Sequence, residues 1–337
     1  MLREESRYDR QRVHAGARDN PRRVPEIDGE PEITRAEFLK LMGAAGVLLA
    51  AVGGESAAAP AGSVLTRAIP KSGEALPVVG LGTWQTFDVG NDAAALAPRR
   101  EVLTRLFDAG GKVVDSSPMY GRAEAVVGEL LAGMGRRRDA FIATKVWTTG
   151  RDAGVRQMQS SAAKLKAPVI DLMQVHNLVD VWTHLETLKK WKQEGRVRYL
   201  GITHYTSSAL SDLMDVMAKT PLDFVQFAYS IGVREPETRM LAMAADKGVA
   251  VLINRPFEGG DMFGRVRGRP LPEWTAEFDC RSWGQFFLKY LLGHPAVTCV
   301  IPGTATPRHM ADNLGAGQGR LPDAAMRRKM ADFWNKL

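Results

Sequence analysis

Eight short runs rich in β-branched residues, separated by longer stretches of helix-like spacing, constrain this chain more than anything else in it. The runs are Val78–Thr83, Lys112–Ser116, Phe141–Lys145, Leu172–His176, Tyr199–Thr203, Phe224–Phe227, Val249–Asn254 and Thr298–Ile301. Between them, stretches such as Arg100–Ala109, Ala123–Leu131, Val181–Gln193, Ser208–Ala218 and Glu237–Ala245 space their apolar residues as one face of a helix does. Alternation of this kind is what βαβ units produce, and such units build a parallel sheet. Gly110-Gly111, Gly195 and Gly248 fall where those helices would end and turn into the next strand. An open doubly wound sheet can also hold eight strands, but no G-x-G-x-x-G follows the first run. The spacing therefore predicts an α/β fold, a (β/α)8 barrel over residues 62–337, with its site at the C-terminal strand ends. Ahead of the first run, Val64 to Pro77 carries a turn at Lys71-Ser72-Gly73 and reads as a β-hairpin that closes one barrel end.

Residues 1–61 have a different composition. Met1 to Pro31 is rich in Arg, Asp, Glu and Pro, without apolar periodicity, and is expected to be disordered. Thr34-Arg35-Ala36-Glu37-Phe38-Leu39-Lys40 then leads into a weakly hydrophobic Gly/Ala stretch from Leu41 to Val52, followed by Ala57-Ala58-Ala59-Pro60-Ala61. A charged leader, a short apolar core and small residues at signal-peptidase spacing form a secretory signal pattern, with cleavage expected after Ala61. The stretch is well short of the roughly 20 residues that span a bilayer, so no stable membrane span is expected. The string resembles a twin-arginine export signal, with Ala36 where the second arginine would stand. That likeness implies a periplasmic protein, with a cytoplasmic one as the alternative.

The chain carries a net charge of +7, but its basic residues are scattered apart from Arg136-Arg137-Arg138. That triplet precedes a strand-like run and reads as a solvated loop, so no nucleic-acid partner is expected. A modest positive field still suits a phosphate-bearing cofactor. Two cysteines, Cys280 and Cys299, supply neither a disulfide framework nor metal-ligand spacing, and no metal is expected.

The strand ends carry the chemistry. The second run finishes in Asp115-Ser116-Ser117-Pro118-Met119-Tyr120-Gly121, the third in Thr144-Lys145-Val146-Trp147 and the fourth in Val175-His176-Asn177. Asp115, Tyr120, Lys145 and His176 would then meet at one barrel mouth. Reducing a carbonyl by hydride requires a proton for the developing alkoxide, and a phenol can supply it. A free phenol has a pKa near 10, so a donor at neutral pH benefits from a neighbouring cation. Lys145 can be that cation, Asp115 can keep it charged and oriented, and His176 can hydrogen-bond the carbonyl.

Asp-x-x-x-x-Tyr-Gly, Thr-Lys and Val-His-Asn, with Gly80-Leu81-Gly82-Thr83-Trp84 and Gly195-Arg196-Val197-Arg198-Tyr199-Leu200-Gly201-Ile202, resemble the motifs of the aldo-keto reductase superfamily. The resemblance covers nearly everything from about residue 64 onward. It implies an NADP(H)-dependent oxidoreductase acting on a small-molecule aldehyde or ketone, with Asp115, Tyr120, Lys145 and His176 as its catalytic tetrad. It also implies a coenzyme groove. Thr203, His204 and Gln226 would hold the nicotinamide amide, with His204 replacing the usual Asn. Relatives often place a stacking ring after strand seven. Asn254-Arg255-Pro256-Phe257 stands there instead, so that ring is replaced, with Asn254, Arg255 and Pro256 lining the groove and Arg255 toward the pyrophosphate. Thr304, Thr306, Arg308, His309 and Asn313 would form the adenine-ribose end. Many relatives place Lys at position 303 and Arg at 309 to grip the 2′-phosphate, where this chain has Gly303 and His309. NADPH is the favoured cofactor, with NADH as the alternative.

Trp84, Met119 and Trp147 are expected as apolar substrate walls. The Gly-rich segment from Gly259 to Thr275 either covers the mouth or is disordered. A competing reading is a redox-sensing or partner-binding module of the same fold with little turnover.

Overall fold

The computed structural model describes residues 64–337, so the disorder and signal expected over residues 1–61 lie outside the described residues. The first elements are β1 (Thr66–Ala68) and β2 (Ala75–Pro77), an antiparallel hairpin pairing Thr66 with Pro77 and Ala68 with Ala75. Eight parallel strands follow: β3 (Leu81–Gly82), β4 (Val113–Asp115), β5 (Phe141–Val146), β6 (Ile170–His176), β7 (Val197–Thr203), β8 (Phe224–Ala228), β9 (Ala250–Asn254) and β10 (Cys299–Val300). They pair in sequence order from β3 to β10. Parallel bridges between Val79 and Val300 and between Gly82 and Gly303 join first strand to last. This is the expected (β/α)8 barrel.

The helices on the outside are α1 (Ala93–Asp108), α2 (Ala123–Gly133), α3 (Arg151–Lys164), α4 (Val181–Gln193), α5 (Leu210–Lys219), α6 (Met240–Asp246), α7 (Met262–Arg265), α8 (Trp283–Leu292), α9 (Pro307–Gly315) and α10 (Ala324–Asn335). Helix α4 has the bounds that its apolar spacing predicts. Helix α1 instead starts at Ala93 rather than Arg100, because the Asp92 side chain accepts from Ala95 N at 2.8 Å and caps it ahead of Pro98. The outermost strand runs are shorter than expected, β3 and β10 having two residues each, because at the seam they meet through isolated bridges instead of a continuous ladder. Gly110, Gly195 and Gly248 take positive φ after their helices, as their positions suggest.

Alternate residues of each strand face the barrel interior, as the two-residue strand period requires. Near the hairpin these are apolar: Val113, Phe141, Leu172, Tyr199, Phe224 and Ala250 form one buried cluster with Ile69 and Leu76 of the hairpin. The Tyr199 hydroxyl bonds Glu74 at 2.6 Å and Ser72 at 2.9 Å, tying hairpin to barrel floor. The hairpin therefore closes the N-terminal end. Moving up the same strands, the inward positions become Asp115, Lys145, Gln174, His176, Thr203 and Gln226, all buried.

The segment from Gly259 to Thr275 is folded, not disordered. Met262 and Val266 are buried, and the Arg265 guanidinium lies 3.9 Å from the Trp334 ring centroid on α10. Cys280 and Cys299 are both free and buried. The Arg136–Arg138 triplet, expected as a solvated loop, runs instead into a 3-10 turn (Arg137–Asp139). Arg136 is paired with Asp108 at 2.9 Å and with Asp139, and Arg137 is bonded to Ala140 O at 3.2 Å. Among the described residues no helix is long and apolar enough to cross a membrane.

Candidate active site

Three strand ends and one turn bring the sequence-predicted tetrad together. Lys145 Nζ on β5 lies 2.6 Å from Asp115 Oδ2 on β4 and donates to Ser116 O at 2.7 Å. Tyr120 sits in the turn between β4 and α2, where its amide donates to Ser117 O at 3.1 Å. The next residue has to be glycine. Gly121 has φ of 57°, and a Cβ there would meet the Asp88 carboxylate at 2.3 Å. Lys145 Nζ lies 4.9 Å from the Tyr120 ring centroid. His176, at the end of β6, meets Tyr120 edge-on with ring centroids 6.2 Å apart.

Burial and neighbours set the protonation states. Burial alone would push the Lys145 ammonium down, but attraction to Asp115 and Tyr120, with the hydrogen bond to Asp115, raises it above the usual lysine range. Burial raises the Tyr120 phenol and Asp115 adds to that, while Lys145 opposes both. The net direction is upward because desolvation outweighs the cation, while Lys145 eases proton loss as expected. His176 is pushed down to about 3, first by burial and then by the charges of Lys145 and His204. Its imidazole is therefore neutral at physiological pH, with Ser117 Oγ 3.3 Å from Nδ1.

Asp115 is held on its other side by amides. Gln226 Nε2 reaches Oδ1 at 2.9 Å and Gln174 Nε2 reaches it at 3.3 Å. Gln226 Oε1 accepts from Thr203 Oγ1 at 3.0 Å and Asn254 Nδ2 at 3.3 Å. Gln226, expected beside a nicotinamide, is thus bonded into the Asp115–Lys145 network. Gln174 and Ser117 were missed from the sequence. The signal for Gln174 was available: two residues before His176 on a strand is the same face.

The remaining cofactor candidates lie around the other half of the mouth. His204 Nδ1 accepts from Thr206 N at 3.2 Å, and its ring stacks on Tyr205 with centroids 5.6 Å apart. Burial lowers the His204 pKa. A cleft of about 360 Å³ lies between Tyr205, Ser207, Ser230 and the exposed, positive-φ Arg255. Asn254 Oδ1, just before Arg255 in the chain, is buried without a hydrogen-bond partner, which fits an amide donor from a ligand. Pro256 is buried and shapes the turn. Phe257 packs on Phe263 and Phe287 at 5.1 and 6.4 Å, so its ring belongs to the wall and offers no stacking face to the mouth. Beyond β10, Thr304 Oγ1 accepts from Thr306 N at 3.0 Å ahead of α9, whose first turn leaves Arg308 and His309 exposed, while Asn313 is buried on that helix.

Residues 78–330 match the aldo/keto reductase family. The chain belongs to that family. Among its curated relatives are the methylglyoxal reductase YeaE of Escherichia coli, 24% identical over 74% of this chain and 89% of that protein, and the Schizosaccharomyces pombe aldo-keto reductase yakc [NADP(+)], 23% identical over 79% and 90%. The fold is similar to that of an aldo/keto reductase from Klebsiella pneumoniae solved with NADP and acetate. That match has a TM-score of 0.64 at 22% identity and covers 80% of this chain and 96% of the other. Within this aldo/keto reductase, Trp84, Met119 and Trp147 stand exposed in the loops after β3, β4 and β5, where the sequence places substrate walls.

Proposed function

We propose that this chain reduces an aldehyde or ketone to the alcohol, with NADPH as favoured coenzyme and Tyr120 as proton donor. The observation that carries this reading is the buried Asp115–Lys145 pair beside the Tyr120 ring and a neutral His176. When bound, the coenzyme supplies hydride to the carbonyl carbon. Tyr120, kept protonated by its burial, gives its proton to the carbonyl oxygen. The phenolate left behind is stabilised by the Lys145 ammonium, which the protein holds charged. Asp115 is the counter-ion that permits a charged lysine in this interior, and Gln174 and Gln226 fix its second oxygen. A Ser117 hydroxyl donating to Nδ1 would put the His176 proton on Nε2, where it can bond the substrate oxygen.

For the coenzyme, Asn254 and His204 would take the nicotinamide amide and Arg255 the pyrophosphate. Thr304, Thr306 and Arg308 would take the adenosine 2′-phosphate, since Gly303 and His309 provide no fixed cation. Incubating purified protein with a carbonyl panel and NADPH, with NADH in parallel, tests the reading. Carbonyl-dependent coenzyme oxidation is expected, and its absence across the panel would overturn it. For residues 1–61 the sequence supports export of the folded enzyme. A periplasmic chain beginning near Gly62 is the expected product, and full-length protein confined to the cytoplasm would refute export.

A further inference from the structure

Tyr120 stands on a turn and Lys145 on a strand, so their separation depends on what joins the two. β4 is bonded to β5 up to Ser116, whose amide donates to Ala143 O at 2.9 Å, and the chain then leaves the sheet. The Tyr120 amide donates to Ser117 O at 3.1 Å and Tyr120 O accepts from Ala123 N at 3.0 Å, both within the turn. Arg122 N donates to Asp88 Oδ1 at 2.9 Å, which holds the turn to the loop after β3. None of these three bonds of the turn reaches β5. Glu124, in the first turn of α2 and four positions beyond Tyr120, does reach it. Its Oε1 accepts from Thr144 Oγ1 on β5 at 2.6 Å, and its Oε2 from Ser161 Oγ on α3 at 3.1 Å. Thr144 directly precedes Lys145, so by the two-residue strand period it faces the helices while Lys145 faces the barrel interior.

Glu124, Thr144 and Ser161 are all buried, the glutamate at 1% exposed. A carboxylate so enclosed normally has a cation against it, whereas the bonds to this one come from two hydroxyls. The Thr144 bond has the length of a charge-assisted O–H···O⁻ contact, about 2.5–2.7 Å. Burial pushes the Glu124 pKa above the usual carboxylate range. The hydroxyls of Thr144 and Ser161, and then the charges of Lys164 and Lys145, draw it back part of the way. Helices α2 and α3 approach closely beside this bond, since a Cβ on Gly128 would meet Lys164 O at 2.0 Å. An apolar side chain would fill the same space without the desolvation cost of a buried charge. What the carboxylate adds is direction: a hydrogen bond fixes the start of α2 against β5, where apolar packing would let it slip.

We infer that Glu124 is a positioning residue: its carboxylate, bonded across to Thr144, sets the distance between the Tyr120 phenol and the Lys145 ammonium. A displaced proton donor loses rate steeply, so the effect belongs in turnover and not in binding. The inference rests on the reductase reading, and one set of kinetics separates the two. Reduction of a panel of aldehydes with NADPH is followed for wild type, Thr144→Val, Glu124→Ala and Glu124→Gln. Thr144→Val keeps the volume of the side chain and removes the donor. It and Glu124→Ala should each lower kcat about ten-fold. The KM for the aldehyde, and coenzyme affinity by nicotinamide fluorescence, should stay within about two-fold. Glu124→Gln, which still offers an oxygen to Thr144, should restore most of the rate. In a Tyr120→Phe background Thr144→Val should cost nothing further, because no phenol remains to be placed. Leu213→Ala, in the core under α5, should lower Tm and leave kcat unchanged. Absence of aldehyde reduction by wild type would overturn the reductase reading and this inference together. Wild-type reduction that Thr144→Val leaves intact, or an equal loss in the Tyr120→Phe background, would overturn the inference alone.

Discussion

Lys145 Nζ and Asp115 Oδ2 lie 2.6 Å apart with both side chains sealed from solvent, so each charge depends on the other for its presence in the barrel. Removing one partner leaves the other buried and uncompensated, which typically costs about 3–5 kcal/mol. Lys145→Met should lose stability on that scale in urea unfolding. Adding Asp115→Asn to Lys145→Met should recover part of the loss, since no unpaired charge then remains. Additive losses would show that the pair does not act as a unit.

Tyr120→Phe keeps the ring and removes the hydroxyl. Turnover of an aldehyde should fall by about 10²-fold or more, the usual scale for general acid catalysis. Coenzyme affinity, followed by nicotinamide fluorescence, should stay within a few-fold. Near wild-type turnover would remove Tyr120 from the mechanism.

His176 makes the protein acid-sensitive in a defined window. Its pKa falls from 6.5 to about 3 on folding. Above pH 6.5 the ring is neutral in both the folded and unfolded chain, so it contributes no pH dependence. Between about 6.5 and 3 the unfolded chain binds a proton that the folded protein refuses, so stability falls as pH falls. The slope of Tm against pH over that window should become shallower in His176→Gln. An unchanged slope would mean that the ring is less desolvated than its surroundings indicate.

Arg308 is the exposed cation on the first turn of α9. A charge-assisted hydrogen bond contributes on the order of 1.5–3 kcal/mol. Arg308→Ala should weaken NADPH by roughly ten- to a hundred-fold and leave NADH nearly unchanged. Equal losses for both coenzymes would place Arg308 away from the 2′-phosphate.

The sequence by itself determined the barrel, because alternation of strand and helix is local and each period is written in neighbouring residues. It also determined that Asp115, Lys145 and His176 share one end: each stands at the C-terminal end of a strand, and parallel strands end together. What lies between those residues was decided by barrel closure. Gln226 is 111 positions from the carboxylate it bonds, and its bond to Asp115 in place of a free amide follows only from the neighbouring strands. The protonation of Tyr120 was decided the same way. A tyrosine near a lysine suggests a lowered pKa, but the depth of burial sets the sign, and burial exists only once the strands and loops have packed. Phe257 packs on Phe263 and Phe287, a placement that follows from helices further along the chain.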